Sequence, residues 1–166
     1  MSTVSAHAFE TSLGVIRVAS TKTGLALISL PGESDRSFDN RVRRLAKGTE
    51  VVNDGTPFRE VNRQIAEYLD GQRKEFTVPL DVRGTAFQLS VLSRVSAIPY
   101  GRTRTYGEIA NEIGRPGASR AVGMANAKNC LPLIIPCHRV VAADGLGGYG
   151  GGIELKRKLL ELEGAL

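Results

Sequence analysis

The stretch TYGEIANEIGRPGASRAVGMANAK, residues 105–128, predicts two short helices joined by a tight turn. Thr105 is suited to cap a helix that runs from Tyr106 to Ile113. Gly114-Arg115-Pro116-Gly117 ends that helix, and a second helix follows from Ala118 to about Lys128. This order is the pattern of a helix-turn-helix. The second helix has few bulky side chains, which fits either close packing against another helix or contact with DNA.

Further helices are predicted on both sides of this stretch. Thr85 is suited to cap a helix from Phe87 to about Ser96, and a last helix spans Ile153 to Leu162. Asp81–Thr85 contains a glycine and has little periodicity, so we place a domain boundary there. The chain is predicted to form one domain over residues 1–82 and another over residues 83–166.

The first domain reads as a small α/β scaffold. Short β-rich runs separated by glycine-containing turns predict a meander, and two segments have the helical spacing of apolar residues. The predicted strands are Ala8–Thr11, Gly14–Ser20, Gly24–Leu30 and Lys74–Leu80, and the predicted helices are Ser37–Lys47 and Pro57–Leu69. No chemistry is visible in this half, and His7 reads as a lone solvated histidine.

Composition and charge narrow the class of protein. The 166 residues are 42% hydrophobic and 23% charged, which is ordinary for a globular protein, and the net charge is +5. Residues 1–82 hold eleven basic and eleven acidic residues, whereas residues 83–166 hold eleven and six. The second half therefore carries the whole positive excess and predicts an acidic partner there, of which nucleic acid is the commonest.

The cellular environment is predicted from the apolar runs and the cysteines. No apolar run approaches the roughly eighteen residues of a membrane span. Two cysteines, Cys130 and Cys137, are too few for a disulfide framework and suit a reducing compartment. We therefore expect a cytoplasmic protein without membrane contact.

Cys137 is the candidate nucleophile. It follows the apolar segment Leu131–Ile135, which should be buried and hold the cysteine rigidly, and His138 and Arg139 come directly after it. A thiol needs a base or positive surroundings to ionise near neutral pH. On an extended chain His138 would point away from Cys137 and reach it only through a water or a turn. Glu161 and Glu163 are equal candidates to orient His138, and the ligand set is too small for a zinc site.

Several ordered motifs in the second half resemble the O6-alkylguanine-DNA alkyltransferase family. They are IPYGRTRTYGEIA at 98–110, SRAVG at 119–123, PCHRV at 136–140, GGYGGG at 147–152 and LLELEG at 159–164. The resemblance implies an α/β (α+β) protein, with a small RNase H-like domain first and a mostly helical helix-turn-helix (winged-helix-like) domain second. It implies DNA repair by one irreversible transfer of the alkyl group of O6-alkylguanine to the protein. O4-alkylthymine is a further candidate substrate.

The resemblance also implies roles for individual residues. Cys137 would accept the alkyl group, His138 would deprotonate it through a water, and Glu163 would hold the histidine. Tyr106 would rotate the nucleotide out of the helix and donate to the leaving guanine, and Arg120 would fill the vacated space from the minor groove. Ala121 and Gly123, on the same helix as Arg120, would also contact DNA. Structural support and the substrate pocket would come from Asn129, Val140, Tyr149 and Gly150.

The same resemblance implies no cofactor and no metal, and a partner that is double-stranded DNA containing O6-alkylguanine. The protein would act as a monomer that can cluster on DNA. Two positions depart from the family. Cys130 stands where many members have proline, and Gly150 stands where some members have a serine beside the base oxygen.

Three other readings compete with this one. A non-catalytic sensor of alkylation damage would share the DNA contacts but lack the acceptor cysteine, which Cys137 argues against. A helix-turn-helix regulator would read base edges in the major groove, for which the second helix has few suitable side chains. A thiol hydrolase would use Cys137 and His138 with turnover.

Overall fold

The computed structural model describes residues 3–166, which form two compact units. One unit ends at Val82, and the other runs from Arg83 to Leu166. Met1 and Ser2 of the predicted first domain lie outside the described residues. Within residues 3–166, no helix combines the length and apolar character that a bilayer span requires.

The first unit is built on a mixed sheet. β1 (Val4–Thr11), β2 (Gly14–Ser20) and β3 (Leu25–Ser29) form the predicted antiparallel meander. A strand that we did not predict, β4 (Val51–Asn53), pairs in parallel with β1 and gives the order β3-β2-β1-β4. β4 has only three residues, most of them exposed, which is too few to show an alternation of apolar and polar side chains. Only its pairing with β1 defines it as a strand.

The strand predicted over Lys74–Leu80 is wrong. Only Leu80 makes a bridge, to Leu25, and the segment before it is held by side chains instead of a ladder. The amide of Gln64 receives the backbone N–H of Thr77 at 2.9 Å and donates to the Thr77 hydroxyl at 2.9 Å. Because these contacts come from a helix, the segment pairs its polar groups without becoming a strand.

The first unit also contains two helices, as predicted. They are α1 (Asp35–Ala46) and α2 (Arg59–Leu69), and a short 3-10 helix, Thr56–Phe58, precedes α2. Each helix buries one apolar face, comprising Phe38, Val42 and Ala46 on α1 and Val61, Ile65 and Tyr68 on α2.

The second unit is mostly helical. It contains α3 (Ala86–Ser96), α4 (Tyr106–Glu112), α5 (Ser119–Ala127) and α6 (Ile153–Leu162). The two-residue strands β5 (Arg104–Thr105) and β6 (Val140–Val141) pair in parallel. The predicted caps are confirmed: Thr85 and Thr105 each form a capping box, with Gln88 and Glu108 respectively. The α4–turn–α5 unit is the predicted helix-turn-helix.

The apolar segment after α5 is buried but irregular. Leu131, Leu133 and Ile135 are each at most 2% exposed. Leu133 adopts a φ of 75°, in the left-handed region that residues with a side chain rarely occupy, and the Ile135 N–H donates to the Leu131 carbonyl at 2.9 Å. The segment is buried as expected, and its backbone satisfies polar groups in tight turns.

Candidate active site

Cys137 opens a 3-10 turn, Cys137–Arg139, at the end of this buried segment. The Arg139 N–H donates to the Pro136 carbonyl at 2.9 Å, and the Val140 N–H donates to the Cys137 carbonyl. The backbone at Cys137 and His138 is therefore a turn, which is one of the two possibilities that the sequence left open, and not an extended chain. A buried extended segment would leave these polar groups without partners, whereas the turn pairs them internally. Cys137 itself is 7% exposed.

His138 and Arg139 meet a single carboxylate at the end of α6. The Oε2 atom of Glu163 lies 2.8 Å from the Nε2 atom of His138. The Arg139 guanidinium donates from Nε to Oε1 at 2.8 Å and from Nη2 to Oε2 at 2.9 Å. Glu161 is exposed on the same helix. Of the two acids that the sequence left open, the structure brings Glu163 to the histidine.

Burial sets the protonation states at this turn. It raises the pKa of the Cys137 thiol, an effect that the nearby Asn129 amide and the Lys156 ammonium oppose. Burial also lowers the pKa of His138, although the hydrogen bond to Glu163 works in the other direction. At neutral pH the site therefore holds a neutral thiol and a neutral imidazole.

The carboxylate also fixes the tautomer of His138. Because Glu163 accepts at Nε2, the proton of the neutral ring belongs on Nε2 and the basic lone pair on Nδ1. A neutral imidazole with a defined basic nitrogen can take a proton. The turn thus places a histidine that a carboxylate orients directly after the buried cysteine.

Lys156 is one of the residues at this site that sequence reasoning missed. It reads as one of three basic residues on an exposed helix, yet it is 0% exposed. Its ammonium donates to the carbonyls of Val140 at 2.6 Å and Gly148 at 3.0 Å. Burial lowers its pKa to about 8, while the nearby Cys137 works to raise it. The only available signal was its spacing from Leu159 and Leu160 on the buried face of α6.

Two asparagines brace the turn from the α5 side. Asn126, buried on α5 and not singled out from the sequence, donates from Nδ2 to the Cys137 carbonyl at 3.2 Å. Asn129 donates to the Ile135 carbonyl at 2.9 Å and accepts from the Leu131 N–H at 3.0 Å. Together they tie the end of α5 to the backbone on both sides of the cysteine.

The glycine-rich loop supplies Tyr149 to the same place. Its ring meets the His138 ring edge-on, with 6.5 Å between centroids. Burial raises the pKa of the phenol well above its ordinary value, and the adjacent Cys137 raises it further. Gly150 is exposed, and a methyl group there would meet no atom within 4 Å. The loop therefore has room at Gly150 and a fixed aromatic wall at Tyr149.

Tyr106 lies in a space that two glycines leave open. A methyl group at Gly147 would lie 2.7 Å from the Tyr106 hydroxyl oxygen, and one at Gly123 would lie 3.7 Å from its ring. The ring of Tyr106 thus sits between the glycine-rich loop and α5. Arg120 and Ala121 are exposed on α5. They are not among the buried groups around Cys137.

The second cysteine lies outside this cluster of buried groups. Cys130 is half-buried, and its Sγ atom lies 3.6 Å from the Lys128 carbonyl. Across residues 3–166, no three His, Cys, Asp or Glu side chains come together as metal ligands.

Comparisons with known proteins place these features in context. Two family profiles match: "6-O-methylguanine DNA methyltransferase, ribonuclease-like domain" over residues 5–82, and "6-O-methylguanine DNA methyltransferase, DNA binding domain" over residues 86–165. They confirm the predicted fold class, an α/β ribonuclease-like domain followed by a helical DNA-binding domain.

Similar proteins cover nearly the whole chain. A methylated-DNA–protein-cysteine methyltransferase of Methanosarcina acetivorans is 43% identical over 158 residues, which is 95% of this chain and 96% of that protein. An inducible methylated-DNA–protein-cysteine methyltransferase of Bacillus subtilis is 41% identical over 147 residues, with coverages of 88% and 82%. The crystal structure of Mycobacterium tuberculosis OGT in complex with DNA has a TM-score of 0.84 and 41% identity, and the match covers 97% of this chain and 93% of that one.

The position of Lys156 leads to a prediction about Cys137. Lys156→Gln keeps a hydrogen-bond donor but removes the positive charge, so the pKa of the Cys137 thiol should rise further. The measurement is the pH dependence of iodoacetamide alkylation, followed by intact mass in a Cys130→Ser background that leaves one thiol. Lys158→Gln, at an exposed position of α6, is the matched control and should leave the profile unchanged. Identical profiles in the two variants would contradict an electrostatic role for Lys156.

Proposed function

This chain belongs to the 6-O-methylguanine DNA methyltransferase family, and we propose that it repairs O6-alkylguanine in duplex DNA by moving the alkyl group irreversibly onto Cys137. Its activity is that of a methylated-DNA–protein-cysteine methyltransferase, a DNA-repair protein with a DNA-binding domain. The observation that carries the proposal is the buried Cys137 next to a histidine that Glu163 orients, on the turn that follows the helix-turn-helix.

The transfer is a single displacement. The Cys137 sulfur attacks the alkyl carbon on O6, the carbon–oxygen bond breaks as the carbon–sulfur bond forms, and guanine leaves with the electron pair. The proton of the thiol passes through a water to Nδ1 of His138, and Glu163 stabilises the resulting imidazolium. Tyr106 donates its hydroxyl proton toward the leaving guanine. The thioether is not cleaved afterwards, so each molecule acts once.

Charge at the site supports this route. Deprotonation places a negative charge on a buried sulfur, which is costly unless positive groups are near. The Lys156 ammonium is such a group, and its pKa of about 8 leaves it mostly charged at neutral pH. Tyr149 stays neutral, and its hydroxyl lies close to the Cys137 sulfur.

The base would be recognised by backbone carbonyls that face the turn. On the proposed mechanism the Val140 and Cys137 carbonyls accept from the exocyclic amine of guanine. The Cys137 carbonyl already accepts from Asn126 and from the Val140 N–H, which fills its two lone pairs. The Val140 carbonyl receives the Lys156 ammonium. The Cys137 carbonyl can therefore accept from the guanine amine only if Asn126 or the Val140 N–H moves away. The Val140 carbonyl is held in place by Lys156.

DNA contact is assigned to the helix-turn-helix. Arg120 and Ala121 are exposed on α5, and the small residue Gly123 leaves room for Tyr106 behind it. We assign Arg120 to the space that the extruded nucleotide vacates, reached from the minor groove, because an inserted side chain offsets a cost of a few kcal/mol for unstacking. Besides Arg120, α5 has at most two residues whose side-chain type could read a base edge. One of them, Asn126, is turned inward to Cys137, which leaves fewer side chains for a sequence-reading regulator.

The acceptor assignment is tested by mass. Cys137→Ala should take up no alkyl group from a duplex that contains O6-methylguanine, because the nucleophile is gone, while it should still bind that duplex. Cys130→Ser is the matched control and should gain one methyl group per molecule. An alkyl group found on Cys130, or release of product beyond one equivalent, would show that the assignment is wrong.

The base assignment is tested by pH. His138→Ala should lower the single-turnover rate at neutral pH by about a hundredfold and recover part of it at alkaline pH, where the thiol ionises unaided. The wild-type rate should fall at acidic pH, as His138 becomes protonated below its lowered pKa. His138→Ala leaves the Arg139–Glu163 ion pair in place, whereas Glu163→Gln also breaks that buried pair and needs an unfolding curve beside it. A rate in the His138 variant that does not change with pH would contradict this role.

The extrusion assignment is tested with two substrates. Free O6-benzylguanine needs no extrusion from a helix, so Arg120→Ala should slow repair of the duplex far more than reaction with the free base. Arg157→Ala, which removes one exposed arginine from α6, controls for net charge. Equal losses on both substrates in the Arg120 variant would exclude the extrusion role.

A further inference from the structure

α5 presents a line of three exposed side chains that the assignments above do not explain fully. Arg120 and Met124 on α5 and Lys128, the residue that caps its C-terminus, lie four residues apart, so they follow one face of the helix. Met124 is 65% exposed, the largest exposed fraction among the large apolar side chains of residues 3–166. The residues of α5 that serve the core are others, namely Val122, Ala125 and Asn126. Folding therefore does not account for a methionine at this position.

The charge around Met124 restricts what can cover it. Between Glu112 and Asp144 the sequence has no acidic residue, while Arg115, Arg120, Lys128 and Arg139 are basic. Arg120 and Lys128 flank Met124 directly on the same face. An apolar side chain between two cations fits a partner in which two rows of phosphates border a less polar surface. Duplex DNA has this distribution of charge.

The shape of α5 favours the minor groove. Ala121 and Ala127 are exposed beside Arg120, Met124 and Lys128. Because both are small, this face of the helix can approach the floor of a groove closely. Methionine is unbranched and flexible, and it fits a groove about 6 Å wide better than a branched or aromatic side chain. Apolar side chains of this kind pack against base steps in proteins that bind the minor groove.

We propose that Met124 is a second minor-groove contact, which packs its apolar side chain against sugars and base edges about one helical turn from Arg120. A turn of α5 advances about 5.4 Å, which is between one and two base steps at about 3.4 Å each. Met124 thus contacts the base pairs beside the lesion and raises the affinity for duplex DNA without neutralising a phosphate. The inference rests on the proposed function, because it takes Arg120 to lie in the minor groove.

Salt titration separates an apolar contact from a charged one. Neutralising one phosphate contributes about −0.9 to the slope of log K against log salt, so loss of Lys128 should flatten the slope if it touches a phosphate. Loss of Met124 should weaken binding equally at every salt concentration and leave the slope unchanged. Removing an apolar contact of this size should raise the Kd roughly tenfold, or about 1.4 kcal/mol.

The experiment uses the full chain and a duplex with and without O6-methylguanine. Met124→Ala and Met124→Gln should both raise the Kd at an unchanged salt slope. Met124→Leu should lose less affinity than either, because it stays apolar, but it should not reach the wild-type affinity, because it is branched. Leu89→Ala, which truncates another exposed apolar residue of the same unit, should bind as the wild type does. All four variants should react with free O6-benzylguanine at the wild-type rate.

The outcomes distinguish this inference from the proposed function. Wild-type affinity in Met124→Ala and Met124→Gln, with alkyl transfer to Cys137 intact, would overturn the contact alone. A flattened salt slope in those variants would also overturn it, since the side chain would then act through charge. Failure of the wild-type protein to gain a methyl group would overturn the proposed function, whatever the binding data show.

Discussion

The carboxylate of Glu163 is the group on which the second unit depends. It accepts two hydrogen bonds from Arg139, faces His138 at 2.8 Å and lies 3.4 Å from the Gly101 N–H. These partners come from the 3-10 turn and from the loop after α3, while Glu163 ends α6. A buried carboxylate that lost a charged partner would destabilise the fold by several kcal/mol. The same contact that fixes these elements also fixes the tautomer of His138, so fold and chemistry share one interaction.

Burial at this site favours a stable turn but opposes the chemistry of the cysteine. It holds the turn rigidly, but it raises the pKa of Cys137 and so opposes formation of the thiolate. On the proposed mechanism, the neutral His138 and the buried Lys156 ammonium offset that effect, the first by taking the proton and the second by attracting the charge that remains. Since Lys156 is bonded to the Val140 and Gly148 carbonyls, its charge cannot move away into solvent.

The sequence predicts this protein best where local rules act alone. The capping boxes at Thr85 and Thr105 and the apolar faces of the helices are local, and they are confirmed. Residues 74–80 have the composition of a strand, but side chains of α2 take their hydrogen bonds, and β4 exists only through its pairing with β1. Lys156 was missed for a similar reason: a lysine is expected on the surface unless distant carbonyls receive it, and those carbonyls are not visible in a pattern.

A buried cysteine suits a reaction that each molecule performs once. On the proposed function, transfer replaces an ionisable thiol by a neutral thioether, which is more compatible with a site that is 7% exposed than the thiolate it came from. Regeneration would require water to attack the alkyl carbon, and a thioether, unlike a thioester, offers no carbonyl for that attack. The pocket therefore has no need of an open path for product turnover. DNA contact is left to the exposed face of α5, so changes on that face can alter the grip on the duplex without disturbing the buried chemistry.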